Sequence, residues 1–328
     1  MKAKEWIALL LAAAVFLGTG FIGAKRAEEL NERRAGTVLS ELSGLLEGTA
    51  ESEPAGPYLE RLDITGTIDY SGGFSDDSTD VQDLVDEIYL LAEDENNVGL
   101  LLYIDSPGGT MNAADDLYYA LMDYKAYTGR PIYCYFDSVA CSGGYYVAMP
   151  ADEICANRNC TCVNIGVYIT SYNLAGLYEK LGVKQVVIRS SENKGIGLEG
   201  TEWTDEQLGI YQSIVDEFYQ QFLEVVAEGR GMTVEQVKLR DDGREMTASQ
   251  ALRAGFIDSV DRYDVYVQSV LEHFSEDTEL WVYTPEEDWL GSLSKYFGAF
   301  SSRSETELLT EFAKAHEGIK VMAYAGGF

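Results

Sequence analysis

The chain reads as an α/β protein built on a mostly parallel sheet, and three observations in its 328 residues point there. Strand-like and helix-like periodicities alternate from about residue 59 to 188, which calls for right-handed strand–helix–strand crossovers. Residues 98–104 (VGLLLYI) form an unbroken apolar run, as expected of a parallel strand buried on both faces. Two Gly-Gly turns, at 108–109 and 143–144, each follow the end of such a strand. Ligands of open α/β sheets gather outside the carboxyl ends of strands, so these turns are expected to share one crevice.

The elements follow in order. Residues 6–24 are a run of 19 without charge, flanked by Lys2, Lys4 and Glu5 and then by Lys25 and Arg26. That length spans a bilayer core as a helix. It is read as an uncleaved anchor, because its apolar part exceeds a usual signal core and Ile22-Gly23-Ala24 is a poor cleavage site. The flanking charges do not set its orientation. The division expected is an anchor at 1–26, a juxtamembrane linker at 27–58, an α/β domain at 59–274 and a C-terminal extension at 275–328.

Within the domain, 62–68 alternates like a strand, and 81–92 places Val81, Leu84, Val85, Ile88 and Leu91 on one helical face. The strand at 98–104 runs into Asp105-Ser106-Pro107-Gly108-Gly109, followed by a helix at 111–127. A strand at 131–136 leads through Asp137-Ser138-Val139-Ala140-Cys141 into a small-residue helix at 142–149. Strands are predicted at 153–156, 165–170 and 184–188, and helices at 172–181, 206–228 and 248–254, with a short helix between Gly231 and Asp242. The tail from Ser275 is less regular.

A hydrophobic content of 46% with 12% aromatics argues for a folded chain with a substantial core. The net charge of −31 repels nucleic acid and suits anionic lipid surfaces poorly, which sets aside nucleic-acid binding. Cys141, absent from any metal-like spacing, and the nearby C-x4-C-x-C cluster of Cys155, Cys160 and Cys162 have no histidine within reach in sequence, so small buried thiols are expected there and no metal or cofactor. Together with Cys134 the count is odd; one disulfide is possible outside the cytoplasm.

The chemistry centres on Ser142. A hydroxyl at the start of a helix faces unpaired N–H groups that favour developing negative charge, and the flanking glycines admit close approach. The same serine would serve equally well as the cap of a buried helix, and the local sequence does not separate the two. If Ser142 is a nucleophile it needs a base. The two histidines, His273 and His316, lie in contexts that suggest no triad, so a lysine held neutral by burial is the substitute. Lys194, in the turn-rich stretch after the predicted strand 184–188, would emerge at the sheet edge that carries Ser142. Cys141 is a rival nucleophile, but adjacent side chains diverge along either a strand end or a helix start.

Taken together, Ser106-Pro107-Gly108-Gly109, Ser138 to Tyr146, Asn164-Ile165-Gly166-Val167, Lys194, Glu228-Gly229-Arg230-Gly231, and Asp242-Gly243-Arg244 through Gly255-Phe256-Ile257-Asp258 resemble the signal peptide peptidase A (SppA) family. The resemblance covers roughly residues 59–262, in the half-size layout of Gram-positive bacteria. It implies a ClpP/crotonase-like ββα superhelix and a membrane-anchored Ser/Lys peptidase that hydrolyses remnant signal peptides and other unfolded peptides. Ser142 matches the nucleophile, Lys194 the general base, and Gly109 and Gly143 the oxyanion-hole donors. Where the family has a Gly-Ser pair, this chain has Val163-Asn164, so Asn164 would take over orientation of the lysine. The resemblance also implies a dome-shaped homo-oligomer, eight copies being one candidate size, in which Ser and Lys of a site come from neighbouring subunits. The catalytic domain would face outside the cytoplasm. Two other readings remain open, an acyl-CoA enzyme of crotonase type and a non-catalytic membrane scaffold. The tail Val321-Met322-Ala323-Tyr324-Ala325 resembles a signal-peptide end and is expected either in the active-site groove or as a frayed terminus.

Overall fold

The computed structural model describes residues 54, 56–70, 79–282 and 321–324, the last four as backbone. The predicted anchor at 6–24, nearly all of the linker and most of the C-terminal extension lie outside the described residues. Among the described residues no helix is long and apolar enough to cross a membrane. In chain order the strands are β1 (Tyr58–Asp69), β2 (Thr79–Asp80), β3 (Asn97–Thr110), β4 (Ile132–Cys141), β5 (Glu153–Ala156), β6 (Thr161–Val163), β7 (Tyr168–Ile169), β8 (Glu245–Thr247), β9 (Ser259–Val260), β10 (Glu279–Val282) and β11 (Val321–Tyr324). The helices are α1 (Val81–Glu93), α2 (Met111–Thr128), α3 (Gly143–Val147), α4 (Ala175–Leu181), α5 (Asp205–Gly229), α6 (Val234–Arg240), α7 (Ala248–Ala254) and α8 (Tyr263–Leu271).

The sheet runs β10-β1-β3-β4-β5-β9, parallel at every junction. Its two-sided burial follows from the two-residue period of a strand. In β3, Leu100, Leu102 and Ile104 enter the larger core with α1, α2, α3, α5, α6 and α7. Leu101 and Tyr103 turn to the opposite face, where Tyr266 and Val270 of α8 cover them. That is why 98–104 is apolar at every position. Helix starts carry their own signals: Thr204, Thr233 and Thr247 each accept a bond from the N–H of the glutamine three residues on, whose side chain bonds back.

Two sequence expectations change. The predicted strand at 184–188 forms no strand among the described residues, and Val186 and Ile188 are 75% and 97% exposed. Periodicity reports an extended chain; only a neighbouring backbone makes it a strand. The predicted strand at 165–170 contracts to β7, and pairing begins earlier, at β6, because Thr161–Val163 extends the edge of β4 in register with Val139–Cys141.

Candidate active site

The site forms where β3 and β4 end. β4 delivers Ser142 at its carboxyl end, and α3 begins at Gly143. Ser142 has φ 53° and ψ −119°, a conformation that L residues rarely adopt and that costs of order 1–3 kcal/mol. Its side chain makes no cap bond to the helix. The helix-cap reading therefore fails: a capping serine sits in extended backbone and spends its hydroxyl on an N–H. Instead the Ser142 hydroxyl donates a long 3.5 Å bond to the Gly166 carbonyl. A strained strand-to-helix turn whose hydroxyl is held only by one long bond resembles a nucleophile elbow.

Gly109 and Gly143 meet as backbone against backbone. A Cβ on Gly143 would lie 3.1 Å from the Gly109 nitrogen, and one on Gly109 would strike the Ile68 carbonyl oxygen at 1.8 Å. Gly108, at φ 105°, makes the bend that brings them together. Ser106, fully buried, holds this loop by donating to the Gly66 carbonyl at 2.6 Å and accepting the Gly108 N–H at 3.1 Å. Asp105 accepts the Val139 N–H at 3.0 Å, tying the two strand ends. The first-turn N–H groups of α3 begin at Gly143, and the Gly109 backbone lies against that residue, beside the Ser142 turn.

The other predicted residues fall differently. Lys194 lies in a turn at 192–197 and is exposed, whereas Ser142 is 1% exposed. A single chain does not join them: among the described residues the Ser142 hydroxyl bonds Gly166, not Lys194. The sheet-edge argument for Lys194 rested on a strand at 184–188 that does not form among the described residues. Asn164, at φ 56°, donates its side-chain N–H to the Gly243 carbonyl at 2.6 Å, which leaves its oxygen as an acceptor. All five cysteines are buried free thiols. Burial, then Glu245 and Cys162, pushes the Cys141 thiol far up, and its Sγ donates to the Thr161 carbonyl, so it is a poor rival to Ser142.

β11 runs antiparallel beside the 108–110 turn, pairing Met322, Ala323 and Tyr324 with Thr110, Gly109 and Gly108. On its other side it pairs with Ile169 and Tyr168 of β7. The backbone edges of β3 and β7 thus form a slot that accepts an extended strand in front of the glycine turn. Sequence reading missed the bonds by which Ser106 holds its loop and the burial of Asp241, which sits in an Asp-Asp-Gly turn that looks solvated yet is 4% exposed.

This fold and this turn define a serine peptidase. A model of peptidase family S49 matches residues 125–275. A protein of Enterococcus faecium named as a signal peptide peptidase SppA is 26% identical over the full length of both chains. A protein of Synechocystis named as a protease is 34% identical across 61% of this chain and 68% of its own. The chloroplastic serine protease SPPA of Arabidopsis thaliana is 32% identical over 55% of this chain and 26% of its own. A solved ClpP1 variant from Listeria monocytogenes overlays 62% of this chain and 92% of its own at 15% identity, with a TM-score of 0.41, too loose to argue from. The chain belongs to peptidase family S49.

Proposed function

We propose that this chain is a membrane-anchored peptidase that cleaves remnant signal peptides and other unfolded peptides with a Ser142–Lys194 dyad. The observation that carries the reading is the strained, uncapped Ser142 turned against the Gly109 and Gly143 backbones. Ser142 Oγ attacks the peptide carbonyl carbon while neutral Lys194 takes its proton. The oxyanion accepts the N–H groups of Gly109 and Gly143, each worth about 3–4 kcal/mol in the transition state. Lys194 then protonates the departing amine, and water activated by the same lysine releases the acyl group.

A lysine serves as a base only when it is shielded from water, and Lys194 is exposed in one chain. The segment that carries it also exposes Leu177, Leu181, Val183, Val186 and Ile188. An apolar surface of this kind supports assembly into a closed homo-oligomer, dome-shaped, in which the lysine of one copy is buried beside the serine of the next. Asn164, with its carboxamide oxygen unspent, would then accept a bond from the arriving ammonium group. The slot between β3 and β7 supports an extended peptide as substrate. The reading includes a ClpP/crotonase-like ββα superhelix, a bilayer anchor at 6–24 and a catalytic domain outside the cytoplasm. Membership of a peptidase family leaves the acyl-CoA alternative without support.

The test is hydrolysis of signal-peptide sequences by the full-length chain in detergent. Loss of hydrolysis in both Ser142→Ala and Lys194→Ala, with assembly intact, is the expected result. Unchanged hydrolysis in either variant overturns the dyad, and a wild type that assembles but hydrolyses nothing favours a scaffold.

A further inference from the structure

Directly behind the nucleophile lies a loop with two further strained residues, Val163 at φ 77° and Asn164 at φ 56°. This loop supports Ser142 twice. The Val163 carbonyl accepts the Ser142 backbone N–H at 2.8 Å, and the Gly166 carbonyl accepts its hydroxyl. A β-branched residue at positive φ is held only by its surroundings, and here the holder can be named. Asp241, at the end of α6, is 4% exposed and carries no cation on its carboxylate among the described residues. One of its oxygens accepts the Ile165 N–H at 2.9 Å and the other the Gly243 N–H at 3.1 Å. Asn164 closes the same turn from the opposite side through the Gly243 carbonyl. Neighbouring Arg244 is spent on Asp242 at the surface.

We infer that Asp241, clasped with Asn164 around Gly243, is a positioning residue that sets the 163–166 loop and through it the attack geometry of Ser142. A carboxylate placed in a buried site without a cation is costly, and an apolar side chain would serve packing alone better. Two amide donors, one to each oxygen, are what a carboxylate holds and an apolar residue does not. The inference rests on Ser142 being the nucleophile.

The experiment compares wild type, Asp241→Asn, Asn164→Ala and Ser142→Ala as full-length chains in detergent. It follows peptide hydrolysis and the rate at which a serine-directed acylating reagent labels Ser142. Asp241→Asn keeps the shape but sets an NH2 group against one of the two amides. A displaced nucleophile should lower kcat and the labelling rate about 10- to 100-fold with KM changed less than about threefold. Asn164→Ala, which removes one tie, should show a smaller fall of the same kind. A role confined to stability would lower the unfolding temperature and leave kcat of the folded enzyme unmoved, and that result overturns the inference. Should Asp241→Asn fail to fold, Asn164→Ala decides: kcat within twofold of wild type overturns the clasp. Wild-type hydrolysis by Ser142→Ala sinks the peptidase reading, and the clasp with it.

Discussion

Ser142 donates its backbone N–H to the carbonyl of Val163 at 2.8 Å, and both residues hold positive φ. Two strained residues thus brace each other across β4 and β6, which keeps the serine at its turn when neither conformation would persist alone.

Ser142→Gly should be more stable than Ser142→Ala by about 1 kcal/mol, since glycine adopts φ 53°, ψ −119° without a Cβ penalty. Both should lack hydrolysis. Urea unfolding of the two variants measures the difference, and an alanine variant as stable as the glycine one removes the strain argument.

Ser142→Ala and Lys194→Ala, each inactive alone, should regain activity when unfolded together and reassembled. If a site takes its serine from one copy and its lysine from the next, random mixing in equal amounts leaves about a quarter of sites intact by simple combination. Activity that stays at background in the mixture would show that each site draws both groups from one chain.

Gly109→Ala should lower kcat at least about 100-fold, because its methyl would meet the Ile68 carbonyl oxygen at 1.8 Å and drive the amide away from the oxyanion. KM should move little. Gly229→Ala is the comparison: its methyl would lie 2.7 Å from the Met149 carbonyl oxygen, at the junction of α5 with the segment after α3, so it should lower stability first.

Glu60 lies fully buried in β1, with Oε1 lacking a partner among the described residues. Burial, then Glu87 and Asp94, pushes its carboxyl up to about 8 from 4.5. The folded state therefore holds the proton more tightly than the unfolded one. The resulting stability is complete below about 4.5 and is lost as pH rises through about 8, at no more than about 1.4 kcal/mol per pH unit. Glu60→Gln should flatten this decline and be the more stable protein at pH 9. Thermal unfolding from pH 5 to 9 reads both curves, and parallel curves would refute the assignment.

Removal of residues 318–328 should raise peptide hydrolysis, because β11 occupies the strand position between β3 and β7. A competitive peptide should also bind more tightly to the shortened chain. Unaltered rates would mean that the tail leaves the slot freely.

Much of the scaffold was legible locally. The helix at 248–254 and the strand at 153–156 match to the residue, because a capping box marks the first and a short apolar strand between polar ends marks the second. The helix at 111–127 is one residue short of its end, which Gly129 sets in the left-handed conformation. Helix α8 went unread. Its buried face consists of Tyr266 and Val270, too few positions to stand out as a periodic stripe.

The sequence by itself determined the turn that carries Ser142 and the two glycine loops, since hydroxyl, small residues and strand ends are local properties written in consecutive positions. It also marked Lys194 as chemically suitable. Tertiary structure alone decided that Ser142 is strained rather than capping, that Asn164 reaches Gly243, and that Asp241 is buried and bonds the loop that holds Ser142. Each of these is a contact between segments some 20 to 80 residues apart, and the cost of a positive φ or a buried carboxylate is visible only once the groups that offset it are in place. The segment at 184–188 shows the same limit from the other side: its pattern specifies a strand, but none of the described residues pairs with it.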